Sequence, residues 1–120
     1  VGRFTRDQRL TRPEEFQRAF AEGCRSTLTG LVLISRPNGQ AGSRLGLAIS
    51  RKHVRRSVDR NRLKRQIRES FRLHQGALGA RDYVALARPG LDRLTSTALR
   101  KELDRHWAVH IQRCASSSSA

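Results

Sequence analysis

The chain has 120 residues, with 25 lysines and arginines against ten acids, a formal net charge of +15 and an isoelectric point near 11.8. That length holds one domain with a single modest core, and no apolar run approaches the ~18 residues that a membrane-spanning helix needs. So large a positive surplus repels itself in a compact fold and implies an anionic partner, nucleic acid first. Arginine supplies 22 of the 25 basic residues. GC-rich codon usage explains part of that preference; the rest fits a planar fork that meets phosphate with two parallel hydrogen bonds.

In chain order, residues 1–10 are polar and basic and read as an extended arm, with Phe4 and Leu10 docking on the core. Thr11 and Glu14 stand at capping-box spacing, Pro13 suits a first turn, and Phe16, Ala19 and Phe20 share one face up to Gly23, which predicts a first helix. Residues 28–36 contain the run Leu31-Val32-Leu33-Ile34 between Gly30 and Pro37-Asn38-Gly39, a buried strand. Residues 44–50 give a second strand, and the short connection predicts that the two pair as antiparallel neighbours. A helix is then expected with Ser57 as N-cap and Gly76 and Gly79 as its stop. At 100° per residue, Leu63, Ile67 and Phe71 lie on one face of it, and Asn61, Lys64, Arg65, Arg68 and Arg72 on the arc beside.

Residues 82–88 form a third strand broken by Pro89-Gly90, and Thr95 or Ser96 caps a last helix carrying Leu99, Leu103, Trp107 and Ile111. The domain is read as residues 1–113, with the serine-rich stretch 114–120 disordered because it has nothing to bury. Cys24 and Cys114 lie far apart without a Cys-x-x-Cys pair and are expected to be reduced, incidental thiols. The N-terminus has no apolar signal region, so the expected location is cytoplasmic. The lack of methionine reads as a missing initiator or a non-standard start.

The order α-β-β-α-β-α predicts a small, mostly antiparallel sheet with helices on one side, a two-layer α+β sandwich. The strand-helix-strand unit from Arg44 to Arg88 would cross over right-handed on general grounds. Between Arg44 and Arg72 stand eleven basic residues and only the acids Asp59 and Glu69, so nine of the fifteen net charges occupy a quarter of the chain. Concentration of this kind is the footprint of a polyanion. No second helix precedes the basic one at the spacing of a helix-turn-helix, so shape and backbone recognition of a folded RNA fits better than base reading of DNA.

Chemistry in the chain itself is not expected. Its ten acids are scattered, there is no Ser or Cys nucleophile arrangement, and no glycine-rich phosphate loop is present. His106 and His110, four apart, have the spacing of a metal-binding pair but lack a third ligand, so no metal is assigned to the protein. His53 sits in the basic loop, where an RNA contact is the expected role.

Gly46-Leu47-Ala48-Ile49-Ser50-Arg51-Lys52, a short loop, and Arg60-Asn61-Arg62-Leu63-Lys64-Arg65 together resemble the protein component of bacterial ribonuclease P, a likeness extending to Arg9-Leu10, Phe16 to Phe20 and Asp82-Tyr83-Val84 and spanning roughly residues 3–110. The resemblance implies a left-handed crossover in place of the general right-handed one. It implies contact with the catalytic RNA subunit through Arg51, Lys52, Arg55, Arg56, Arg60, Asn61, Arg62, Lys64, Arg65 and Arg68; by its position on the helix Arg62 projects off the main arc, and the alternative for it is a pair with Glu69 or Asp59. It also implies a cleft for the single-stranded 5′ leader of precursor tRNA, lined by Phe16, Phe20, Ile34, Leu47 and Ser50. Ile34 stands where some members carry an aromatic residue, and Phe16 and Phe20, judged on spacing alone, read as core. The family picture is of one protein per RNA, no obligate homo-oligomer and no membrane, with hydrolysis performed by magnesium ions in the RNA subunit. The alternative is a ribosomal or chaperone-type RNA binder without influence on precursor cleavage.

Overall fold

The computed structural model describes residues 9–40 and 42–118; the expected docking of Phe4, and most of the N-terminal arm, lie outside them. In order, the elements are α1 (Pro13–Glu22), β1 (Cys24–Leu28), β2 (Leu31–Pro37), β3 (Arg44–Ala48), α2 (Ser57–Leu78), β4 (Arg81–Ala87), a 3-10 turn (Leu91–Arg93) and α3 (Ser96–Ser118). The α+β class and the mostly antiparallel sheet are as expected. The strand order is β1-β2-β4-β3, and only β3 and β4 run parallel.

Three details differ from the sequence reading. An additional strand, β1, pairs with β2 through a hairpin whose two loop residues, Thr29 and Gly30, both have positive φ (45° and 83°), the twist that a tight two-residue turn needs. β2 and β3 are not neighbours, because β4 inserts between them. Asp82, Tyr83, Val84 and Ala85 are buried one after another, as a central strand covered on both faces requires, and α2 supplies the long crossover that parallel pairing demands. Helices also cover both faces of the sheet. Leu31, Leu33, Leu45, Tyr83 and Ala85 face α2 and α3, whereas Val32, Ile34 and Val84 face α1 and Leu10.

The larger core centres on Phe71, Tyr83 and Trp107, packed edge to face with ring centroids 5.8–6.2 Å apart. Their polar atoms are satisfied: the Tyr83 hydroxyl donates to the Leu78 carbonyl (2.6 Å) and the Trp107 indole N–H to Ser70 Oγ (2.8 Å).

The helix ends shift by a residue or so from their expected places. Arg12 is the N-cap of α1, and the Glu15 carboxylate, not Glu14, accepts the backbone N–H groups of Thr11 (3.3 Å) and Arg12 (3.2 Å). Ser57 is the first residue of α2 and Arg56 its cap; Gly76 remains helical, and Gly79, at φ 69°, ends the helix. Thr95 caps α3 as expected, its hydroxyl accepting the Ala98 N–H at 3.1 Å. α3 continues to Ser118, so residues 114–118 prolong the helix where an unstructured tail was expected. Cys114 is buried and bonded to Cys24 across β1 and α3, with Cα atoms 5.8 Å apart, which corrects the expectation of two separate thiols. Their separation of 90 positions conceals the pairing from the sequence.

Arg44 at the start of β3 joins α1 to the sheet. Its guanidinium grips the buried Asp82 carboxylate with two bonds of 2.8 and 2.7 Å and reaches Glu15 at 2.8 Å. The bond to Asp82 raises the Arg44 pKa further above its ordinary value. Removing it leaves a carboxylate buried with Asn38 as its remaining side-chain donor. Arg44→Ala is therefore expected to destabilise the fold by about 3 kcal/mol, read from urea unfolding, whereas Asp82→Asn combined with Arg44→Gln should recover a good part of the loss.

Candidate nucleic-acid interface

The loop after β3 is shaped from inside. Val54 is fully buried, the Ser50 carbonyl accepts the N–H groups of His53 (3.2 Å) and Val54 (2.9 Å), and Ser50 Oγ accepts that of Lys52 (3.0 Å). This turn sends Arg51, Lys52, Arg55 and Arg56 into solvent. Ser50, expected at the leader cleft, is exposed and shapes the basic loop. His53 is exposed as well, with Nδ1 3.1 Å from the Ala87 carbonyl, so Nδ1 carries the proton it donates.

On α2 the expected contact residues divide by role. Arg60 turns back and donates to the carbonyls of Val54 (3.0 Å) and Arg55 (2.7 Å), fastening the basic loop to the helix. Arg62 pairs with neither Glu69 nor Asp59; it donates to the carbonyls of Asp92 (2.9 Å) and Leu94 (3.1 Å) and anchors the turn before α3. The sequence showed two more arginines in a basic run, and only the tertiary contact reveals that these two hold backbone. Asn61 and Arg65 are exposed, and Lys64 and Arg68 half-buried.

Lys64 and Arg68 line a notch of about 160 Å³ at the edge of β3 together with Arg9, Phe16 and Leu47. Burial, and then the neighbouring Arg9 charge, lower the Arg68 pKa. Two like charges held this close on a partly desolvated surface favour an anion between them. Arg9, which bridges to Leu45 on the outer edge of β3, is a member of this surface that the sequence reading had not placed in a site.

Around α1 the expected leader residues are only partly brought together. Phe16 is half-buried over Gly46, where an added Cβ would stand 2.7 Å from its ring, so glycine is what lets the aromatic lie on the strand. Phe20 is 45% exposed, too open for core, and remains available for stacking. Ile34 is 1% exposed, sealed beneath α1 with its Cγ2 against Gly23. Leu47 points to the opposite face of the sheet from Ile34 and reaches Phe16 only around the edge of β3.

His106 and His110 lie far from this surface. Both are fully buried, bridged by Ser26 Oγ at 2.8 and 2.6 Å, and His110 continues to Ser35 Oγ at 2.6 Å, where the Arg81 guanidinium also donates (3.0 Å). One proton arrangement accounts for these contacts with both rings neutral, His106 Nε2–H to Ser26, Ser26 O–H to His110 Nδ1 and His110 Nε2–H to Ser35, and leaves His106 Nδ1 a buried acceptor without a partner. These histidines join β1 to α3.

A small mixed sheet bearing an exposed arginine-rich helix and loop, with aromatic side chains on the adjoining helix, defines a basic α+β RNA-binding protein. The family model described as Ribonuclease P matches residues 4–110. A "Ribonuclease P protein component" of Methylococcus capsulatus is 48% identical over 116 residues, covering 97% of this chain and 91% of the relative, and one of Nitrosococcus oceani is 43% identical over 114 residues, covering 95% and 96%. The solved RNase P protein of Staphylococcus aureus has a TM-score of 0.80 at 27% identity, covering 85% of this chain and 94% of that one. The chain belongs to the ribonuclease P protein family, whose members are the protein part of an endoribonuclease that includes an RNA, and its role is that of the protein subunit.

Proposed function

We propose that the protein acts in the cytoplasm, binds the RNA subunit of ribonuclease P through the exposed residues of its basic loop and α2, and receives the 5′ leader of precursor tRNA along α1 and the edge of β3. The observation that carries this reading is the continuity of the two surfaces: Lys64 and Arg68 of α2 share a notch with Phe16 of α1. Arg51, Lys52, Arg55, Arg56, Asn61 and Arg65 face the RNA subunit, with Arg60 and Arg62 acting through the backbone they hold. Phe16 and Phe20 offer stacking surfaces to leader bases, while Ile34 supports α1 from below.

The hydrolysis itself belongs to the RNA subunit and its magnesium ions. Acids beside the basic surface are engaged by arginines, Asp59 by Arg56 at 3.9 Å and Glu69 by Arg72, which supports this reading. The protein's share is to screen phosphate repulsion between two RNAs and to hold the leader in register, which favours precursor over mature product. One protein per RNA suffices for this arrangement.

The test is cleavage of a leader-bearing precursor tRNA at low magnesium with the protein alone, a bacterial ribonuclease P RNA alone, and both. Activity confined to the mixture supports the reading. Cleavage by the protein alone would move the chemistry into the chain, and no gain over RNA alone would favour the ribosomal or chaperone-type binder. Within that system, Arg65→Ala and Arg68→Ala are each expected to weaken RNA-subunit binding by about 1–2 kcal/mol and to make the salt dependence shallower by close to one phosphate contact. Filter binding across a salt series measures both.

A further inference from the structure

α2 carries basic residues on two flanks, and the proposed function uses chiefly the one facing β3. On the other flank α2 lies beside α3, and the pairs Arg62–Ser96 and Ser70–Asp104 show that the helices run in the same direction. Between them is a cleft of about 470 Å³, within the usual range for small-ligand sites. Its lining is ordered by chemistry along the helices. Arg65 and Arg100 stand toward the N-terminal end, Gln66 and Leu103 in the middle, and Glu69 and Asp104 toward the C-terminal end.

Such a slot matches the polarity of a nucleotide. Arg65 and Arg100 are both exposed, and they supply cations for a phosphate. Leu73, 63% exposed, offers apolar surface to a base, and the buried Leu103 forms the floor beneath. Acceptors follow along the cleft: Gln66 Oε1 in the middle, buried without a hydrogen-bond partner, and the Asp104 carboxylate, half exposed, at the far end. Guanine brings two adjacent donors, N1–H and N2–H, that a carboxylate accepts side by side, whereas uracil brings one.

We propose that the α2–α3 cleft is a nucleotide-binding site that takes a single unpaired guanosine phosphate unit of RNA, with the phosphate at Arg65 and Arg100 and the base edge at Asp104 and Gln66. The inference deepens the RNA-binding reading, on which it rests, by adding a base-discriminating pocket on the flank of α2 away from the leader surface. The protein would then grip its RNA from both sides of one helix.

The experiment is a nuclear magnetic resonance titration of the full chain with 5′-GMP, 5′-UMP and inorganic phosphate, following backbone amides. GMP is expected to shift amides of residues 65–73 and 100–104 and to bind at least fivefold more tightly than UMP or phosphate. Arg100→Ala should weaken GMP at least fivefold, and Asp104→Asn should erase its advantage over UMP; both side chains are exposed, and circular dichroism checks that the fold is kept. Equal responses to all three probes, shifts confined to the Phe16 and Lys64 surface, or GMP binding indifferent to both substitutions would overturn the inference. Binding of ribonuclease P RNA by the unmodified chain is measured in parallel. If that binding is strong while GMP leaves the cleft unmoved, this inference alone falls; if both are absent, the RNA-binding reading falls with it.

Discussion

Acidification from pH 7 to pH 4 is expected to remove about 6 kcal/mol of stability, enough to unfold a protein of ordinary stability. The source is the buried pair His106 and His110. Burial lowers both pKa values from 6.5 to about 4; for His110 the neighbouring His106, Arg81 and Arg113 push the same way, and for His106 the Ser26 bond and Glu102 oppose in part. The sign follows from proton uptake. Above pH 6.5 both rings are neutral whether the chain is folded or not, and their contribution is fully present. Below 6.5 the unfolded chain takes up protons that the native core refuses, so stability falls as pH falls, by ~1.4 kcal/mol per unit per histidine, until the native rings protonate near 4. Urea unfolding at pH 7, 5.5 and 4.5 measures the slope. In the double variant His106→Asn, His110→Asn the slope between 6.5 and 4.5 should be nearly flat; an unchanged slope would mean that other groups carry it. Glu15 adds a separate loss at lower pH: burial opposes ionisation there, but the Arg12 backbone N–H and Arg44 outweigh it and hold the carboxyl below 4.5.

Reduction of the Cys24–Cys114 bond is expected to cost about 4 kcal/mol, because the bond closes a loop of 90 residues that the reduced unfolded chain would explore freely. Urea midpoints with and without a phosphine reductant give the difference, and Cys24→Ser with Cys114→Ser should match the reduced protein and no longer respond to reductant. Identical midpoints for the untreated and reduced protein would show that the two thiols are not joined. Because the bond immediately follows the C-terminal end of α1 at Gly23, local loosening after reduction is expected to fall on α1 and β1 first, and hydrogen exchange resolves it residue by residue.

These two predictions concern the same seam, β1 against α3, and that seam was the least legible part of the sequence. Cys24-Arg25-Ser26-Thr27-Leu28 has no apolar alternation, since the residues turned inward include Cys24 and Ser26, and what they meet is polar too: His106, His110 and Cys114 on a helix some 80 or 90 residues later. A strand whose inward face is satisfied by distant polar groups leaves no periodic trace. The insertion of β4 between β2 and β3 was hidden for a related reason. A short connection suggests neighbours, but the continuous burial of residues 82–85 favours the centre of the sheet, and pairing preference is decided by the whole set of strands.

By itself the sequence determined the α+β class, the extents of the long helices to within a few residues, the apolar faces of β2, β4 and α2, and the concentration of positive charge after β3. Each is local, set by periodicity, turn chemistry or composition over a short window. Only the tertiary structure decided which arginines face solvent and which hold carbonyls, that α1 covers the opposite face of the sheet from α2 and α3 with Ile34 beneath it, and that Arg9, Phe16, Lys64 and Arg68 meet at one edge. The reason is physical: a guanidinium's partner depends on which backbone comes within about 3 Å, and that is fixed by packing among segments far apart in the chain.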